Sequence, residues 1–553
     1  IGHGVGGTTN TAIGTDALDN SHTGATDNTA VGYHALTAAH TNATDYNTAV
    51  GSNAGKAITS GSMNTAVGAY CLDATQTGSN NVGVGVNALG AVCGNNNTGV
   101  GNEALLVFTG ADATAVGSGS ADALTTATNT VAIGKDALGA TTDGHNNTAV
   151  GASSLNLADA GDNNVAVGYT ALSNFTGSDA VAVGVGAADA ATSALRLTAV
   201  GKDAAGAVTD SDDHTAVGYQ ALASCTTGAQ NTALGASAGY SLTGSSNVMI
   251  GMQAGYYAST VDDCVAIGRD ALLGASGNTT GNSNVAIGSY SLDATTSGTR
   301  NVGIGAYSLS ALTSNHDNVA IGVNALKDAD GGENFNVAVG SYALTTEAGG
   351  ADGCVAVGYY ALKMQNGGAR NTAMGFQAAS GLTDATDAVF IGYNAGGAAT
   401  QTGSYNIGVG NYTIEAATSG YANVAVGHGA GRDIVDGYHN VAIGFNTGVE
   451  IESGDQNVAI GSYALASEDD ANGCVAIGYN ALFGQNGNVG NTGVGWNVLF
   501  HNKSGTGSTG IGTSAGYANV DGYNTWVGHE SGRNTGHAAA NTTLGYRSYK
   551  SST

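Results

Sequence analysis

Thirty-two times along 553 residues a glycine closes a variant of one short string, such as NTAIG, NTAVG, NVAIG or NVAVG, from Gly14 through Gly32, Gly51 and Gly68 to Gly528 and Gly545. Most of these glycines stand 16 to 18 residues apart, 17 being the commonest interval, and the longest gap, 20, separates Gly268 from Gly288. A fragment of a further copy precedes them at Gly2. A period this short cannot hold a helical pair, which needs about 33 residues or more, and falls below the leucine-rich range. It suits one coil of a parallel β-solenoid. No window shows the apolar spacing of an amphipathic helix. The chain is therefore read as all-β, one continuous array over residues 1–553, with coils about 4.8 Å apart that build a rod on the order of 150 Å long.

Composition agrees. Gly numbers 91, charged residues are 10% and Pro is absent, against about 7% Gly and about 25% charged in an ordinary domain. A chain without Pro keeps every backbone N–H available to a neighbouring strand. The net charge of −27 argues against nucleic acid and against an anionic membrane surface, both of which need clustered Lys and Arg. No apolar run is long enough for a transmembrane helix, and no signal peptide is visible. The chain begins at Ile1, read as a fragment or processed product.

The columns of the repeat carry the reading further. One residue before the glycine stands Val or Ile in all copies but Leu234, Met374 and Leu544, and three residues before it stands Thr, Val or Ile. Strand alternation puts these two columns on one face, and that face is expected to be the β-branched core. Between them lies Ala or Gly, with Met249, Phe390, Trp526 and Thr543 the exceptions. Such a stripe implies a close neighbour, either the far wall of a flat coil or another chain, and the reading adopted is another chain. Asn precedes the Thr/Val column in 22 copies, among them Asn28, Asn47, Asn64, Asn318, Asn440 and Asn457. Stacked in register, these amides are expected to form a structural ladder, and Asn also suits a left-handed corner. After the glycine come two variable residues, a small one and commonly Leu, expected to plug the core. Where Gly replaces that Leu, as at Gly239, Gly255 and Gly516, the following Tyr240, Tyr256 and Tyr517 are expected to supply the volume.

Chemistry is sparse. His3, His22, His40, His145, His316 and His439 are scattered and form no metal motif, and the repeated glycine is a backbone requirement rather than a phosphate cradle. The acidic loops hold Asp210, Asp212 and Asp213 in one place and Asp328, Asp330 and Glu333 in another. The second, DADGGE, offers oxygen ligands around a Gly turn, the one candidate Ca²⁺ site, with solvated loops as the other reading. Otherwise no cofactor and no catalytic group are expected. Aromatic residues follow the glycine at Tyr33, Tyr70, Tyr169, Tyr219, Tyr290, Tyr307, Tyr342, Tyr359, Tyr360, Tyr463, Tyr479 and Trp496. They suit either sugar stacking or a ladder or seam among themselves. Of the six cysteines, Cys71, Cys93 and Cys225 stand apart, and Cys264, Cys354 and Cys474 fall in the Asn column, several coils from one another. None of those three can reach another within a chain.

The strings NVAIG at Asn284–Gly288, Asn318–Gly322, Asn440–Gly444 and Asn457–Gly461, and NTAVGYHAL at Asn28–Leu36, resemble the head repeats of trimeric autotransporter adhesins, and are similar to repeats of phage tail fibres. The resemblance spans essentially the whole chain, although the period is longer and no anchor or stalk is visible. It implies a left-handed β-roll, assembly as a homotrimer, and a place outside the cell, at a cell surface or on a virion. The expected function is the structural or adhesive shaft of a fibre, not an enzyme, that presents repeated loops for multivalent attachment to a cell-surface or glycan receptor. Two other classes stay open. One is a monomeric ice-binding solenoid, disfavoured here because the Thr column is read as facing inward. The other is an acidic surface-lattice or sheath protein.

Overall fold

The computed structural model describes residues 9–19, 24–39, 44–275, 279–329, 332–346, 350–397, 400–467, 470–485, 489–537 and 539–549. Among them lie 32 short strands, numbered β1 (Thr11–Ile13) to β32 (Thr542–Leu544) in chain order, and no helix. Within each of the two units given below, successive strands pair parallel and in register: β19 (Val319–Ile321) meets β20 (Val337–Val339) through Val319↔Val337, Ala320↔Ala338 and Ile321↔Val339. Each strand is one turn of a parallel β-solenoid, about 17 residues from the next. The chain divides into two compact units. Residues 1–270 with 276–279 form the first, ending at β16 (Val265–Ile267), and 271–275 with 280–553 form the second, starting at β17 (Val285–Ile287).

The register explains the glycine. Its φ lies between 119° and 144° throughout the column, where an L side chain is strained. The coils also approach too closely for a side chain. A Cβ on Gly340 would stand 2.5 Å from the carbonyl oxygen of Gly358, and one on Gly322 the same distance from that of Gly340.

The faces of the strand are the reverse of the expectation. The Ala/Gly column is the interior: Ala320, Ala338, Ala425 and Ala442 are all fully buried. The flanking β-branched columns face outward, with Ile321 39% exposed, and the strand pattern is half-buried, buried, half-buried or exposed in nearly every coil. The physical reason is space. Each coil is so flat that its two walls leave room only for Ala or Gly opposite the inward Leu, so the larger β-branched side chains must lie outside. The neighbour of the Ala stripe is thus the other wall of the same coil, not another chain.

That second wall is no strand. After the glycine, the second and fourth residues both take φ near +50°, as in His34 and Leu36, or Asn324 and Leu326. The turn points alternate N–H groups to the two neighbouring coils: Asn324 N donates to Ala306 O (3.0 Å) and Leu326 N to Ala343 O (3.0 Å). Leu in the left-handed region is costly, by about 1–2 kcal/mol. The ladder bond and complete burial of Leu36, Leu326 and Leu482 offset it, since a buried Leu contributes about 1.5–3 kcal/mol. In eight copies Gly takes this left-handed place and relieves the strain, for example Gly255, Gly396 and Gly532.

The volume lost there does not come from the next residue, as expected. Tyr240, Tyr256 and Tyr517 are only half-buried and stack on other rings, Tyr240 on Tyr256 at 4.9 Å and Tyr517 on Phe500 at 5.2 Å. The space is filled from elsewhere in the coil. Met249 fills it at Gly255, Phe390 at Gly396 and Trp526 at Gly516 and Gly532, and a Cβ on Gly396 would stand 2.6 Å from the Phe390 ring. Elsewhere a residue three further on does so, as Ile434 beside Gly431 and Ile451 beside Gly448. Three of the four exceptions in the small column are therefore matched to a missing Leu.

Candidate functional site

The Asn column points into the coil. Asn47 N donates to Asn28 Oδ1 (2.9 Å) and Asn64 N to Asn47 Oδ1 (3.0 Å). The N–H groups of Asn318, Asn440 and Asn457 donate in the same way to Asn301, Asn423 and Asn440 Oδ1. The amide nitrogen closes the corner of its own side: Asn440 Nδ2 donates to Gly454 O and Asn457 Nδ2 to Ala471 O, both at 2.6 Å. Every arm of the side chain is occupied within the coil stack, so the row holds structure and presents nothing outward. The left-handed residue of the corner is the one before the Asn, such as Asp27, Tyr46 or Asp317, not the Asn itself.

Cys264, Cys354 and Cys474 keep the incoming bond, their N–H groups donating to Asn247, Asn336 and Asn457 Oδ1. All six cysteines are free thiols and buried. Burial pushes Cys71 up to about 12 and Cys225 up to about 11. His214 also occupies the Asn column, fully buried, and burial lowers its pKa.

The acidic loops are knit to their neighbours. Asp212 Oδ1 accepts from Leu195 N (2.8 Å). Asp213 pairs with Arg196 one coil earlier, as Asp317 pairs with Arg300 and Asp387 with Arg370. The Arg300 hydrogen bond, then that of His316, holds Asp317 down at about 2. Of the candidate Ca²⁺ ligands, Asp328 is exposed with Lys327 Nζ 3.8 Å away, and Asp330 lies outside the described residues. Glu333 is fully buried and accepts from Asn315 Nδ2 (2.6 Å) and Gly350 N (3.3 Å). No three His, Cys, Asp or Glu among the described residues come together to hold a metal. His145 Nδ1 lies 3.1 Å from Thr128 N and His316 Nδ1 2.9 Å from Asp317; His439 is exposed. His3, His22 and His40 lie outside the described residues.

What the chain presents outward is the strand face and a column of rings beside it. The residue after the glycine shares the outward side with the two β-branched columns, and Tyr33, Tyr169, Tyr219 and Trp496 are exposed there. In the second unit the rings become continuous. Tyr359 stacks on Phe376 (5.4 Å) and Phe376 on Tyr393 (5.5 Å). Tyr393 meets Tyr412 edge-on (5.2 Å), Tyr412 meets His428 (5.7 Å), and His428 stacks on Phe445 (5.4 Å). Tyr342 joins one end through Tyr359 and Tyr360, and Tyr463 and Tyr479 continue the other. Tyr290 and Tyr307 form a separate stack at 5.0 Å.

Beside this ladder one coil lacks a side chain. The second residue after the glycine is Asn394, Tyr412 and Asn446 in nearby coils, but Gly429 between the last two. The Asn446 amide oxygen lies over the place a Cβ would take on Gly429, and next to it opens a cavity of about 340 Å³ lined by Tyr412, Glu415, His428, Gly429 and Arg432. Glu415 Oε1 accepts from Asn394 Nδ2 (2.5 Å), and Arg432 Nε and Nη2 engage Asp433. That hydrogen bond raises the Arg432 pKa, and burial, with Tyr393 beside it, raises that of Tyr412. The run HGAGRD at His428–Asp433 is the signal that sequence reading passed over: a glycine out of column, followed by a cation.

No protein-family model matches the chain, and no curated protein matches it. No helix among the described residues is long and apolar enough to cross a membrane.

Proposed function

We propose that the chain is the structural and adhesive shaft of an extracellular or virion fibre, assembled from three copies that pack through their β-branched faces. The outward Val/Ile column carries this reading. In the second unit Ile321, Val426, Ile443, Ile460 and Ile477 are each more than a third exposed, and the last four follow one another in register from coil to coil. A contiguous apolar surface of this kind marks an interaction face, and a parallel array repeats one weak contact many times, so the contacts add by avidity. The acidic outer loops, with the net charge of −27, keep the remaining surfaces apart. Sedimentation combined with small-angle scattering tests it: a trimer mass supports the assembly, and a monomer at micromolar concentration overturns it.

A second reading gains one observation. The Thr column faces outward, not inward, so the argument against an ice-binding face no longer holds. Thr11, Thr29, Thr48 and Thr65 stand one coil apart on the strand face of the first unit. The column turns to Val through most of the second unit, which favours packing over ordered water along that stretch. Thermal hysteresis in dilute solution decides between them.

A further inference from the structure

The cavity beside Gly429 sits within the longest run of outward rings. We propose that the stretch from Tyr393 to Phe445 binds a neutral oligosaccharide, with one pyranose seated in that cavity against Tyr412 and His428. Stacking of the rings on each other accounts for the ladder. It does not account for a cavity beside the ladder whose walls carry unused hydrogen-bonding capacity. Glu415 Oε2 and Arg432 Nη1 make no hydrogen bond to a described residue, while Oε1 and the other guanidinium nitrogens are engaged. The cavity thus offers one carboxylate acceptor and one guanidinium donor, each held by a neighbour on its other side. Sugar hydroxyls both donate and accept, so a vicinal pair satisfies both groups at once.

The rings supply the apolar half of the site. The negative face of an aromatic ring attracts the positive C–H edge that a pyranose presents, and Phe376, Tyr393, His428 and Phe445 are all exposed. The rings recur once per coil, about 4.8 Å apart, a spacing comparable to one sugar unit, so an extended chain can follow the column beyond the cavity. A volume of about 340 Å³ lies at the low end for a small-molecule pocket and holds one ring rather than a peptide. Charge selects the class. Arg432 is already paired with Asp433, Glu415 is itself an anion, and the chain carries −27, which disfavours an acidic glycan.

This assignment deepens the attachment reading and rests on that reading only for its biological use; the binding itself is independent of the oligomeric state. The test is calorimetric titration of the full chain with cellohexaose, chitohexaose and mannohexaose, and with hexagalacturonate as the acidic comparison. Binding of at least one neutral hexasaccharide with Kd below about 1 mM is expected. Tyr412→Ala and Glu415→Gln each weaken it at least about tenfold, and Tyr412→Phe retains it. Gly429→Asn is the most pointed variant. Asn tolerates the left-handed φ of 64° at this position, and the only close neighbour of its Cβ is the end of the Asn446 side chain, which can turn aside, so the fold survives while the added side chains crowd the cavity; binding is expected to be lost. Tyr33→Ala, in the first unit, leaves it unchanged. Failure of every neutral sugar to bind, or unaltered binding by Gly429→Asn, overturns the site, and tighter binding of hexagalacturonate overturns the neutral class. A monomer mass with intact sugar binding sinks the fibre assembly alone.

Discussion

Asn318 Oδ1 accepts the backbone N–H of Asn336 at 3.0 Å, while Asn318 Nδ2 donates to Glu333 O at 2.9 Å. One side chain thus joins a coil to the next and closes the corner beside it. Removing it leaves a buried N–H and a buried carbonyl without those partners, a loss of about 1–3 kcal/mol. Asn318→Ala is expected to lower the denaturant midpoint of the second unit accordingly, read by circular dichroism. A shift under about 0.5 kcal/mol, typical of a surface change, would mean that the ladder is not a stabilising element.

The inversion of the strand faces is testable at two adjacent residues. Ala320→Leu overfills the interior and is expected to cost at least about 1–3 kcal/mol. Ile321→Thr, on the outer column, is expected to change monomer stability by no more than about 0.5 kcal/mol. Thermal melts of both variants at low concentration settle the matter, and the opposite ranking would restore the β-branched core.

The glycine column tolerates no side chain. For Gly340→Ala the strained φ of 135° adds to a collision with the Gly358 carbonyl, together at least about 3 kcal/mol. The expected outcome is local unfolding around that coil, visible as lost amide protection against hydrogen exchange.

The thiols Cys71 and Cys225, raised by burial to about 12 and about 11, present almost no thiolate at pH 8. The folded chain is expected to resist a thiol-reactive chromogen such as dithiobisnitrobenzoate, with the signal appearing only as denaturant unfolds the coils. Rapid labelling of the native chain would contradict their burial.

His214 introduces an acid sensitivity. Its folded pKa is lowered by burial, so the unfolded state binds the proton more readily, and the associated stability is present above the unfolded value and lost as pH falls. The loss starts near about pH 6.5, the ordinary histidine value, and grows downward to the folded pKa. His214→Asn restores the residue common in this column and is expected to flatten the pH dependence of melting below about pH 6.5. An unchanged profile would place the acid-sensitive group elsewhere.

The class of fold was legible at once because the period recurs at Gly14, Gly32 and every coil after, and only a stacked coil asks for glycine at one fixed place. The structural use of Asn28, Asn47 and Asn318 was legible for the same reason: identical amides in register have each other as partners. The cavity was not. It depends on Gly429 standing opposite Tyr412 and Asn446 across coils of equal length, and on Arg432 and Glu415 meeting from different coils, which no single segment displays. Phe390 and Gly396, six residues apart, show the same limit: each looks like an exception until the coil brings them face to face.

By itself, then, the sequence determined the period, the parallel register and the glycine column, because backbone hydrogen bonding between identical coils depends only on what repeats. It also determined that Val319 and Ile321 share a face. Which face turns inward was decided by tertiary structure alone. Hydrophobicity favours burying Ile321, but the wall-to-wall distance of the coil admits only Ala320. Where the interior is narrower than a β-branched side chain, steric exclusion overrides transfer free energy, and the apolar column is left outside for a partner to cover.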